Sequence, residues 1–390
     1  MTTLISFLGK GQNGLGYRDT NYHFFDEDLY ENQKYIGIAL ADKINPSKII
    51  LLGTSGSMWD VFLEQGADDG LEAEWLSLVE AVQTQTVTKE MLEPFENYLR
   101  QKLNANVQCI LIPFARTEQE QIQILSILAD SLSEKEQVII DVTHGFRHLP
   151  MLALVAARFL KRVKNIDVKH LYYGALEMTD SKDKKTPVLM LDGLLSMLDW
   201  IDGLTTFDKD GDYGQFADLL AKEGMDENQT KLLKQSAFFE RTSNSSQARQ
   251  KLSTVTNALT TFDSPIYQLF KPQLLKRLEW FKRPNRGLQE QQLAKDYLER
   301  HDYLRAVIFA LEGMISAKTI EAGHDVNDYA DREEQRQILR DNANFRLFNN
   351  IRNGLVHGLG RDASQDIKRI MNDEEKMQHS LKDRFKHLLD

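Results

Sequence analysis

The stretch that most constrains this chain is Val138-Ile139-Ile140-Asp141-Val142-Thr143-His144-Gly145, continued by Phe146-Arg147-His148-Leu149-Pro150. Its first three residues are β-branched and apolar and lie between polar segments, the pattern of a strand buried on both faces of a parallel sheet. A Thr-His-Gly turn follows, and then the apolar run MLALVAARFL predicts a helix. A strand that feeds a helix through a short turn is the repeating unit of an open α/β sheet. In such sheets ligands collect beyond the carboxyl ends of the strands, where helix N-termini turn amides toward anions. Asp141, Thr143, His144, Gly145 and Arg147 therefore fall where a phosphate-bearing ligand is read. The same residues also fit a purely structural role, with Asp141 and Thr143 capping the turn.

Other strand ends repeat the arrangement. Residues 2–8 read as a strand that runs into GKGQNGLGYRDT, where Gly9, Lys10, Gly11, Asn13 and Gly14 supply close-approach backbone and a cation. The glycine spacing is not that of a dinucleotide fingerprint. Residues 49–52 form a second strand, followed by the hydroxyl-rich turn Thr54-Ser55-Gly56-Ser57. Helical sequence covers about 71–104, a third strand 107–115, and the opening stretch is the fourth. DVKHLYYGALE pairs with TPVLMLDGL across a charged turn as a hairpin. Residues 1–195 thus read as a Rossmann-like parallel-sheet α/β domain, and everything beyond about residue 230 reads as helix.

DVTHG resembles the DxTHG signature of a family of CRISPR-associated proteins of type III systems. The resemblance implies an N-terminal CARF domain over residues 1–195, a helical linker region over 196–285 and a HEPN ribonuclease domain over 286–390. It implies a cyclic oligoadenylate, the tetraadenylate or the hexaadenylate ring, as allosteric activator held at the three strand ends, with no cofactor. In the last domain, Arg352-Asn353-Gly354-Leu355-Val356-His357 resembles the HEPN motif, an Arg followed by a polar residue with four to six residues between the Arg and a His. On a helix Asn353 and His357 share a face, while Arg352 lies about 100° around. One helix is a splayed set. Two copies facing each other would gather two of each residue around one phosphate, so the motif implies a homodimer acting on single-stranded RNA.

The residue types suit RNA cleavage without a metal. Histidine moves protons near neutral pH, and arginine offers a fixed cationic fork to phosphate. Glu312, Arg305 and Tyr303 on the preceding helix, and the polar lead-in Arg340, Asn342, Arg346, Asn349 and Asn350, are weaker candidates. A non-catalytic nucleotide-sensing regulator and a CARF domain that also cuts its ring ligand remain as alternatives. A metal-dependent DNA nuclease is disfavoured, since the helical half has no spaced Asp/Glu-x-Lys set.

Bulk properties set the bounds. The net charge of −10 argues against a general nucleic-acid coat but leaves room for a local basic patch. Residues 271–310 carry nine Lys/Arg against five Asp/Glu, which reads as a solvated helix face or an RNA track. The single cysteine, Cys109, excludes an intramolecular disulfide and fits a reducing cytoplasm. No secretory signal is recognised at the start, and no apolar run reaches the roughly 20 residues needed to span a bilayer, so no membrane partner is expected.

Overall fold

The structure is a computed structural model that describes residues 2–10, 19–145, 148–360 and 363–386. It divides into two compact units, Met1–Leu198 and Asp199–Asp390.

The first unit is built on an eight-stranded sheet. Its strands are β1 (Thr2–Phe7), β2 (Thr20–His23), β3 (Leu29–Gln33), β4 (Lys48–Gly53), β5 (Asn106–Leu111), β6 (Gln137–Asp141), β7 (Asp167–Gly174) and β8 (Lys185–Met190). The order across the sheet is β3-β2-β8-β7-β6-β1-β4-β5. β1 pairs in parallel with β4 on one side and β6 on the other, and β5 and β7 extend the parallel set. The hairpin read from the sequence is present, with Tyr172 opposite Met190. The sheet is mixed rather than purely parallel. β2 and β3 form a short antiparallel pair, and β2 joins β8 in parallel.

Alternation along the central strands fills two cores. Leu4, Ile49, Leu51, Val107 and Ile139 point to one face, toward α1 (Ile36–Ile44), α2 (Glu72–Thr84) and α3 (Lys89–Leu103). Ile5, Phe7, Ile50, Leu52, Val138 and Ile140 point to the other, toward α4 (Glu118–Asp130) and α5 (Leu149–Lys164). Local signals explain the helix ends. Thr117 accepts from the Glu120 amide while Glu120 accepts from the Arg116 amide, a reciprocal cap at the start of α4. Pro150 sits in the first turn of α5, where its missing N–H costs nothing.

The second unit is all-helical among the described residues. α6 (Asp192–Asp210) leads in from the first unit, followed by α7 (Gln215–Lys222), α8 (Glu227–Arg241), α9 (Ser245–Thr261) and α10 (Pro265–Arg277). Next come α11 (Arg286–Glu299), α12 (Tyr303–Glu321), α13 (Tyr329–Leu339), α14 (Ala343–His357), α15 (Gln365–Met371) and α16 (Glu374–Lys386). α11 and α12 pack closely because they meet at glycines. A Cβ on Gly287 would lie 2.9 Å from the Ala317 amide nitrogen. That close approach buries a polar cluster in which Glu290, 1% exposed, accepts from Ser245, Ser316 and Arg286. The sequence reads as helix throughout this region, but α13 and α14 are two helices. They are separate because Asn342 caps α14, accepting from the Asn344 and Phe345 amides.

Candidate functional site

In the first unit three strands end side by side, β6, β1 and β4. From β1 the chain progresses outward through β4 to β5, and then returns to the other side through β6 to β7. The crevice between β1 and β6 is thus the point where the strand order reverses, the usual place for a ligand in an open α/β sheet.

The backbone at this crevice is tightly drawn. Gly9 follows β1 and Gly145 follows β6, and a Cβ on Gly9 would lie 2.5 Å from the Gly145 nitrogen. Gly145 itself has φ +124°, a conformation that side chains rarely adopt. The absence of a Cβ at Gly9 is what lets the two loops meet this closely.

A buried polar chain holds the loops from beneath. Asp141 is fully buried, accepting from the Ser6 hydroxyl and, at 2.9 Å, from the Thr143 amide. Burial pushes its carboxyl up to about 6, against the pull of the Ser6 and Thr143 hydrogen bonds. Ser6 Oγ lies 2.6 Å from Tyr35 Oη. The Tyr35 ring stacks on His144 at 4.9 Å, and burial lowers the His144 imidazole to about 3, so it is neutral at pH 7. Thr143 Oγ1 accepts from the Gly174 amide at 2.7 Å, tying the end of β6 to the end of β7.

The turn after β4 is also internally braced. Ser57 Oγ donates to Leu8 O at 2.8 Å and accepts from the Thr54 amide at 2.9 Å. Thr54 Oγ1 accepts from the Gly56 amide, and Met58 N donates to Gly9 O. Thr54 and Ser57 are each 2% exposed, whereas Ser55 is partly exposed and Lys10 exposed. The structure therefore brings Gly9, Lys10, Thr54, Ser55, Gly56, Ser57, Asp141, Thr143, His144 and Gly145 to one edge of the sheet. Within that edge Asp141, Thr54 and Ser57 brace the loops from inside, and Lys10, Ser55, Thr143 and Gly145 reach the surface. Gly11, Asn13, Gly14 and Arg147 lie outside the described residues.

The second candidate is on α14. Arg352 Nη2 donates to Asn353 Oδ1 at 2.7 Å and to Asn349 Oδ1 at 3.0 Å. Both bonds use one terminal nitrogen, so among the described residues the rest of the guanidinium fork remains open to a ligand. Arg352, Asn353, Val356 and His357 line a cavity of about 300 Å³ with Ile308, Leu311 and Glu312 of α12. His357 is exposed at the helix end, where Gly358 closes α14. Glu312 is fixed by Arg332, at 2.5 Å, and by Arg336, at 3.2 Å. The sequence named Asn349 and Glu312 only as weaker candidates, because nothing in their spacing shows that one orients Arg352 and the other walls the same cavity. Tyr303 lies elsewhere, bonded to Glu374, and Arg305 pairs with Asp302. No cluster of metal-ligating side chains occurs among the described residues, and no described helix is long and apolar enough to cross a membrane.

The first unit is thus a Rossmann-like α/β domain whose ligand crevice is bordered by glycine backbone, hydroxyls and a lysine. Residues 3–177 match the family described as CRISPR system endoribonuclease Csx1, CARF domain. The CRISPR-associated protein MJ1674 of Methanocaldococcus jannaschii is similar, 25% identical over 247 residues, which covers 57% of this chain and 39% of that protein. The chain thus matches about two-fifths of that relative's length. The first unit thus matches a CARF domain, a domain that implies a cyclic oligoadenylate ligand, and the chain is similar to a CRISPR-associated protein.

Proposed function

We propose that this protein is an endoribonuclease of type III CRISPR defence that cuts single-stranded RNA when cyclic oligoadenylate binds its CARF domain. The observation that carries the reading is the convergence of Arg352, Asn353 and His357 on one cavity, in a chain whose other unit is a CARF domain. Cyclic tetraadenylate or hexaadenylate spans the strand ends of two CARF domains in a two-fold dimer, and the all-helical unit provides the HEPN site at residues 286–390. Gly9, Gly56 and Gly145 let phosphate approach the backbone closely, with Lys10, Ser55 and Thr143 adding polar contacts, and Gly11, Asn13, Gly14 and Arg147 are assigned to the same ligand. Asp141, His144, Thr54 and Ser57 hold those contacts in place.

The chemistry needs three things: removal of the 2′-hydroxyl proton, stabilisation of the in-line phosphorane, and protonation of the leaving 5′-oxygen. His357 of one protomer takes the proton, and the same residue of the second protomer delivers one. Arg352 faces the phosphate with the part of its fork that Asn349 and Asn353 leave open, and its fixed geometry lowers the cost of organising charge in the transition state. The attacking 2′-oxygen bonds to phosphorus as the 5′-oxygen leaves, so no water or metal enters the step and the product carries a 2′,3′-cyclic phosphate. Ring binding shifts the dimer toward productively spaced α14 helices, a coupling free energy that must act in both directions.

End-group analysis tests the chemistry. Cleaved RNA is expected to carry a 2′,3′-cyclic phosphate, and a single 2′-deoxy substitution before the scissile bond is expected to block that cut. Products with a 3′-hydroxyl and a 5′-phosphate would contradict the mechanism.

A further inference from the structure

The basic stretch 271–310 has a use that the proposed chemistry does not supply. Its Lys276, Lys282 and Arg283 are exposed on the border of a groove of about 840 Å³, within the second unit. The walls are rigidly held. Arg277 pairs through two nitrogens with both oxygens of Asp208, and Gln292 bridges Arg283 and Asp296, accepting at 2.8 Å and donating at 2.9 Å.

Two further donors along this groove lack acceptors. Trp280 lines it, is 2% exposed, and its buried indole N–H meets no acceptor among the described residues. Arg300 also lines it, stacked on the rings of Phe207 at 5.4 Å and Tyr297 at 5.2 Å, and its buried Nη1 has no hydrogen-bond partner among the described residues. The charge of Arg300 reaches the Glu240 and Asp296 carboxylates. Leaving a buried donor unpaired is costly, so a pair of them beside one groove suits a ligand that brings acceptors.

The charge balance narrows the ligand. Five Lys/Arg and four Asp/Glu line the groove, so a bare polyanion would meet Glu279 and Glu299 as well as the cations. A nucleotide satisfies both kinds of wall. Its phosphate suits Lys276, Lys282 and Arg283, while its base and ribose carry acceptors for the Trp280 and Arg300 donors and donors for Asp296. We propose that this groove is a docking site for a nucleotide of single-stranded RNA, separate from the Arg352–His357 cavity. The choice of RNA rests on the ribonuclease reading; the existence of the site rests on the groove.

The test is fluorescence anisotropy of a short labelled single-stranded RNA on the full chain carrying His357→Ala, which keeps the probe intact under the proposed mechanism. Against that background, Lys276→Gln/Lys282→Gln/Arg283→Gln, all at exposed positions, is expected to weaken binding about tenfold. It should also reduce the slope of log affinity against log salt by about 0.7, the effect of one single-strand phosphate no longer being neutralised. Trp280→Phe keeps the ring packing and is expected to weaken binding severalfold with the salt slope unchanged. Unchanged affinity and slope in the triple variant would overturn the proposal. So would adenosine monophosphate quenching Trp280 fluorescence while labelled RNA stays bound, which would assign the groove to a free nucleotide. RNA that docks here but is never cut by the wild type would refute the ribonuclease reading and leave this site standing.

Discussion

Asp141 is the residue of the DVTHG stretch whose role can be tested by stability alone. Its carboxyl lies at about 6 in the folded chain against 3.8 when unperturbed, and burial is the main cause. A folded-state value raised above the unfolded one means that the native state binds the proton more tightly. The contribution of Asp141 to stability is therefore fully present below about pH 4 and is lost as pH rises toward and through about 6. A shift of about two units corresponds to roughly 3 kcal/mol, all of it lost by neutral pH. Asp141→Asn keeps the shape and an acceptor for the Thr143 amide, and its new N–H can donate to Ser6 Oγ. The variant should match the wild type near pH 4 and exceed it by up to about 3 kcal/mol at pH 7. His144 titrates in the opposite sense, since its lowered value removes stability as pH falls below 6.5, but it is present in both proteins and cancels in the difference. Hydrogen exchange of β1 and β6 peptides between pH 4 and 7, corrected for intrinsic rates, reports the stability of this unit. Parallel curves for the two proteins would refute the reasoning, as would loss of ring binding in Asp141→Asn with its stability unchanged.

Two further predictions address the sites directly. Gly9→Ala places a methyl group 2.5 Å from the Gly145 nitrogen and must push the β1 and β6 loops apart; a cost of about 1–3 kcal/mol in thermal unfolding and at least a tenfold loss of ring affinity by calorimetry are expected. Asn353→Ala removes the 2.7 Å brace on Arg352 without touching the charge; single-turnover RNA cleavage should slow by about ten- to a hundredfold with KM little changed, and an unaltered rate would place Arg352 outside the transition state.

The parts of the fold that were legible in the sequence are those with strong local patterns. Val138-Ile139-Ile140 and Ile49–Leu52 are buried on both faces and show it as unbroken apolar runs, and the β7–β8 hairpin announces itself by its charged turn. β2 and β3 were invisible for the opposite reason. TNYH and LYENQ are short and polar, and β3 is an edge strand whose exposed side chains carry no alternation to read. The break at Asn342 was hidden because helix-compatible residues flank it on both sides.

At the sites, spacing along one helix revealed Arg352, Asn353 and His357, since helical geometry alone relates them. Glu312 reaches the same cavity from another helix, a relation that only tertiary packing creates. The hydroxyls of Thr54 and Ser57 show a related limit. Their types suit a phosphate and a braced turn equally, and only the bonds to Leu8 O and the Gly56 and Thr54 amides reveal the bracing.

The most direct measurement of the central claim is cleavage of a fluorophore–quencher single-stranded RNA in EDTA, with and without cyclic tetraadenylate or hexaadenylate, by the wild type and by His357→Ala. The account predicts ring-dependent cleavage by the wild type and none above background by the variant. Cleavage that survives in His357→Ala, or a wild type that stays silent with both rings, would contradict it.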